Sequence, residues 1–141
     1  MRRSPALWSF LADLVLVVVF TAIGRSTHHE EVFGPWGQEL WTTAWPFVVA
    51  LIVGWAVLRA WKDPLAVMPT GLGLWLITVA GGLALRKLAG GGTALAFVLV
   101  ATGVVLVFLV GWRLITNAGI SALSRRHHQV ADSKNRAPND Y

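Results

Sequence analysis

Cysteine is absent from the 141 residues, which removes disulfides, thiolate nucleophiles and cysteine-ligated metals from consideration. Charge is scarce as well. Asp, Glu, Lys and Arg make up 13% of the chain, against 55% hydrophobic residues, where a soluble domain carries about 25% charged residues. The chain has no phosphate-binding glycine loop, zinc-binding histidine motif, dinucleotide fingerprint or nucleophile elbow. With no catalytic pair in view, the reading is that this is not an enzyme and that it uses no cofactor and no metal.

The chain that remains has a mean hydropathy of +0.60 and falls into four apolar blocks. They run Leu7 to Gly24, Leu40 to Leu58, Val67 to Leu85 and Thr93 to Trp112, with Asp13 the single charge inside them. A bilayer core about 30 Å thick needs roughly 20 residues of helix, and each block is long enough. The runs do not alternate as barrel strands would, so helices are the form that satisfies their backbone in lipid. The expectation is an all-α integral membrane protein, a small bundle of four transmembrane helices over residues 1–116, with a flexible basic tail over 117–141. Arg2 and Arg3 followed by an apolar run ending at Ala22-Ile-Gly24 also fit a cleaved leader, but the run exceeds a usual leader core.

The net charge of +5 is not read as nucleic-acid binding, because the basic residues sit at the ends of the apolar blocks and in the tail. Nine fall on one side of a four-span topology: Arg2, Arg3, Arg59, Lys62, Arg113, Arg125, Arg126, Lys134 and Arg136. Arg25, Arg86 and Lys87 fall on the other, beside Glu30, Glu31 and Glu39. That asymmetry predicts both termini in the cytoplasm of a multi-pass cell-membrane protein, with anionic lipid headgroups meeting the basic inner ends. Trp8, Trp61 and Trp112 near the inner ends, and Trp36 and Trp41 near the outer, are read as an interfacial belt.

Asp13 is the residue that needs an explanation. Eleven Leu, Ile, Val and Phe residues in its block favour insertion by roughly 3 to 7 kcal/mol, against a cost of about 2.5 to 3.5 kcal/mol for a central Asp. The helix therefore inserts, and the carboxylate, about 9 Å into the core, needs company. Arg59 and Arg113 end blocks on the same side and are the candidate partners, together with small polar groups on other spans. The rival reading is a transported-ion or proton site.

A second constellation is Gly24-Arg-Ser-Thr-His-His-Glu-Glu31, where Thr27 and Glu30 have capping-box spacing. Arg25, His28 and Arg86 are expected to approach one another on the outer face. Adjacent His28 and His29 point apart on a helix and are not read as a metal pair. In Thr42-Thr-Ala-Trp-Pro-Phe47, Pro46 belongs in a first helical turn or makes a kink, and either leaves carbonyls open to Arg25 or Arg86. Gly71, Gly73, Gly81 and Gly82 suit close helix packing.

The ordered set Asp13, "AIGRSTHH", "TAWPF", "GLALRK" and "GWRL" resembles a family of small polytopic membrane proteins labelled domain of unknown function 3054, over about Leu7 to Leu114. The resemblance marks Asp13, Gly24, Arg25, His28, Trp45, Pro46 and Arg86 as positions of interest and implies no reaction. The leading expectation is a non-enzymatic structural or accessory membrane component, working with a membrane-protein partner or further copies of itself. The alternative is a small channel or transporter for protons, ions or a small molecule, with Thr21, Thr78 and Thr102 lining its middle.

Overall fold

The computed structural model describes residues 5–27, 37–92 and 95–136, and they form four helices. These are α1 (Pro5–Thr27), α2 (Gln38–Leu58), α3 (Leu72–Leu88) and α4 (Leu95–Asn135). All four are long and apolar enough to cross a membrane, counting the turn Val67–Gly71 that leads into α3. Met68 in that turn is extended (φ −120°, ψ 134°), so the third span enters through a bend rather than as straight helix.

Each helix turns one face inward. Ser9, Asp13, Val17 and Phe20 of α1 are buried at three- and four-residue steps, and so are Leu74, Thr78 and Gly82 of α3. On α4 the buried set is Ala101, Val105, Leu109 and Arg113. Such spacing is one stripe of a helix. The opposite faces carry exposed Val15, Val19, Ile52, Val53, Leu76, Leu99 and Val107, as lipid contact requires.

α2 and α3 pack tightly against each other. A β-carbon on Gly82 would stand 2.3 Å from Cδ1 of Phe47, and one on Gly81 would stand 3.0 Å from that of Ala50. Phe47 cannot yield, since its ring packs edge-on against Phe20 at 5.4 Å and 84°, with Phe97 6.2 Å away. In lipid, packing of this kind rather than water exclusion holds helices together.

Two helix ends are closed by the same hydrogen-bond pattern. At α3, Gly91 N donates to Arg86 O (2.8 Å) and Gly90 N to Lys87 O (3.1 Å), with Gly90 at φ +83°. At α2, Ala60 N donates to Trp55 O and Arg59 N to Ala56 O, with Arg59 itself left-handed at φ 50°.

The fourth element departs from expectation. The helix does not stop near residue 116: α4 continues without a break to Asn135, 41 residues in all. Nothing between Asn117 and Asn135 forces an end, because that stretch holds no proline and Gly119 is its single glycine.

Gly82→Ala should lower stability by about 1–3 kcal/mol through overpacking against Phe47. Gly103→Ala, which meets nothing within 4 Å, should leave it unchanged. Thermal unfolding of the two variants in detergent reads the contrast.

Candidate functional site: a closed carboxylate centre

Asp13 sits on the inward stripe of α1 with 0% exposure, and Arg113 on that of α4 with 0%. Arg113 Nη1 donates to Oδ1 at 2.7 Å and Nη2 to Oδ2 at 2.7 Å, a two-pronged ion pair. Two indoles complete it. Trp55 Nε1, from α2, donates to Oδ2 at 3.0 Å, and Trp112 Nε1 donates to Oδ1 at 2.8 Å. Each carboxylate oxygen thus accepts two N–H bonds, which is the full capacity of the group.

The guanidinium is engaged on its other edges as well. Arg113 Nε donates to Pro64 O (2.9 Å) and Nη1 to Leu109 O (2.7 Å). Its central carbon lies 4.6 Å from the Trp112 ring centroid, within cation–π range. Gly71 gives it room, for a β-carbon there would come 3.2 Å from Arg113 Cδ. One turn further along α4, Asn117 Nδ2 holds Leu65 O at 3.0 Å, so α4 grips the α2–α3 connection twice.

Of the two arginines considered for Asp13, the structure places Arg113 on it and leaves Arg59 exposed in the left-handed turn after α2. Trp112 is not a plain belt residue, since its indole is spent on Asp13, while Trp8, Trp41 and Trp61 are exposed. Trp55 and the carbonyls of Pro64 and Leu109 were not anticipated. The signal for Trp112 was its place beside Arg113, and for Trp55 a polar ring atom four residues before Arg59.

At the far end of the bundle a cleft of about 270 Å³ is lined by Thr42, Thr43, Trp45, Pro46, Arg86 and the Ala89–Gly91 turn. Pro46 lies inside α2 rather than in its first turn and cannot donate to the carbonyl one turn back. Arg86 Nε donates to Gly92 O at 2.8 Å, and its guanidinium lies 4.7 Å from the Phe97 ring centroid. Gly24 is within the last turns of α1 with open space at its α-carbon. His28, Glu30 and the side chain of Arg25 lie outside the described residues, so the expected Arg25–His28–Arg86 cluster does too. α1 runs through Thr27. Among the described residues, no group of three or more His, Asp or Glu could hold a metal.

These features define a class: an all-helical protein with four helices long and apolar enough to cross a membrane, a buried Asp–Arg–Trp centre at one end and a polar cleft at the other. The chain belongs to the family described as "Protein of unknown function (DUF3054)", whose sequence profile matches residues 10–116. That stretch contains the whole Asp13 centre and the cleft, and it excludes the α4 extension beyond Thr116. Neither curated proteins nor solved structures gave a match.

Removing one member of the pair strands the other. Arg113→Leu or Asp13→Leu should each cost about 3–5 kcal/mol, and the double replacement Asp13→Leu with Arg113→Met should recover most of it. Asp13→Asn should be milder than Asp13→Leu, since the amide oxygen still accepts hydrogen bonds. Chemical or thermal unfolding in detergent gives the order.

Proposed function

We propose that the chain is a multi-pass cell-membrane protein with both termini in the cytoplasm, serving as a non-enzymatic structural or accessory component. The bilayer and its anionic inner headgroups are its environment, and a membrane-protein partner or further copies of itself are what it works with. The observation that carries this reading is the saturation of Asp13. A transported ion or proton needs a group that exchanges partners, whereas all four acceptor positions of this carboxylate are filled by the protein at 0% exposure.

The surroundings favour the same reading. Between the Arg86 cleft and Trp55, successive turns of α2 hold Phe47 and Leu51 at 0% exposure. Thr21 and Thr102 bond their own helix carbonyls, Val18 O and Val98 O. Thr78 Oγ1 is buried with no partner, one isolated hydroxyl rather than a relay.

In intact cells, cysteine placed at Ser26 should react with an impermeant thiol reagent and cysteine at Ser133 should not. The reverse pattern would invert the topology. Purified protein in liposomes should show no proton or ion flux above empty vesicles, and mild-detergent extraction should recover a stoichiometric complex by native mass measurement. Robust flux from a homogeneous protein, abolished by both Asp13→Asn and Asp13→Leu while folding survives, would replace this reading with transport.

A further inference from the structure

The α4 extension carries an apolar seam with nothing on it. Ile120, Leu123 and Val130 are 51%, 61% and 66% exposed, and His127 between them is exposed as well. Their spacing continues the buried stripe of the same helix. The series Leu109, Arg113, Thr116, Ile120, Leu123, His127, Val130 and Lys134 advances by alternating steps of four and three, the period of a helix-on-helix seam. At about 100° per residue, Ile120 to Val130 lie on the side that Leu109 and Arg113 turn toward α1 and the α2–α3 turn. Below the bundle that side is vacant, and an apolar helical stripe is ordinarily there to be covered.

We infer that this seam docks an acidic amphipathic helix of a cytosolic partner protein, an assignment that rests on the accessory reading above. Charge supports it: Arg126 flanks the seam and Lys134 closes its far end, whereas Asp132 is on the far face, paired with Arg136 at 3.2 Å. The cover needs apolar residues at the same alternating spacing, flanked by carboxylates. A second copy does not fit. Along the span the same face of α4 is packed by its own α1 and α3, so a second α4 continuing straight up the seam would run into them. The bilayer surface does not fit either. At about 1.5 Å per residue α4 is about 62 Å long against a core of about 30 Å, and being unbroken to Asn135 it carries the seam away from the membrane. The seam also lies outside the family match at residues 10–116.

The test uses full-length protein with a photo-crosslinking residue at Leu123 or Val130, and at Arg125 on the opposite face, in intact cells. The seam positions should crosslink one protein through a segment that mass spectrometry maps to an acidic amphipathic helix, and Arg125 should not. Leu123→Asp with Val130→Asp should reduce recovery of the native complex at least tenfold while unfolding in detergent is unchanged. Adding anionic lipid vesicles to the purified protein should not protect the seam from labelling. Crosslinks to a second copy, to lipid alone or to a segment lacking that pattern would overturn the inference, as would equal yield from both faces or none from either. A complex that survives the seam variants refutes the seam and leaves the accessory reading intact. Flux without any complex refutes both.

Discussion

Two opposite charges taken out of water must each find every bond that water gave them, and that constraint shapes the Arg113 end of this bundle. Removing a carboxylate and a guanidinium from solvent costs several kcal/mol per ion even after relaxation, and their attraction offsets this only with good geometry and complete hydrogen bonding. Asp13 meets the condition with two prongs of Arg113 and two indoles, one from α2 and one from α4. Arg113 spends four of its five N–H donors, two on Asp13 and two on the carbonyls of Leu109 and Pro64. One carboxylate therefore ties α1, α2 and α4 together, and its cation ties in the α2–α3 connection.

Such a centre matters more here than it would in a water-soluble bundle. Apolar side chains gain little by leaving lipid for one another, so helix association rests on close packing and on polar contacts. The two are divided along the bundle. Gly81 and Gly82 let α3 close on Ala50 and Phe47 toward the Arg86 end, and the charged knot secures the other. The first sets distance, while the second sets which helices meet and at what height.

Much of this was legible in the residue order. Four apolar blocks gave four helices because composition and length leave few alternatives in lipid. Asp13 announced itself as the lone charge, and Arg113 as a cation of the right side and depth. The choice between Arg113 and Arg59 was not legible, because it turns on a left-handed residue after α2 that sends Arg59 to the surface. Trp55 and Trp112 were hidden by having two good uses, a belt at the interface or a donor indoors, and only the packing of α1 decides between them. The helical state of the α4 extension was not legible, since its polar composition suits solvent whether coiled or helical. What sustains it as helix is the span it grows from, which supplies the nucleus that short helices in water struggle to form.

The sequence separation inside the charged centre has a meaning in time. Asp13 precedes Trp55 by 42 residues and Arg113 by 100. At a synthesis rate of about 5–20 residues per second, the carboxylate waits roughly 5–20 s for its cation. In a chain that inserts as it is made, α1 and α2 can pair first through the Trp55 indole, leaving three of the four acceptor positions of Asp13 open. Arrival of Trp112 and Arg113 then closes the site in a single step. The last span thereby acts as a completion signal, and a nascent chain that stalls before Trp112 carries an acid with one of its four bonds made, which a membrane quality-control system has a physical basis to recognise.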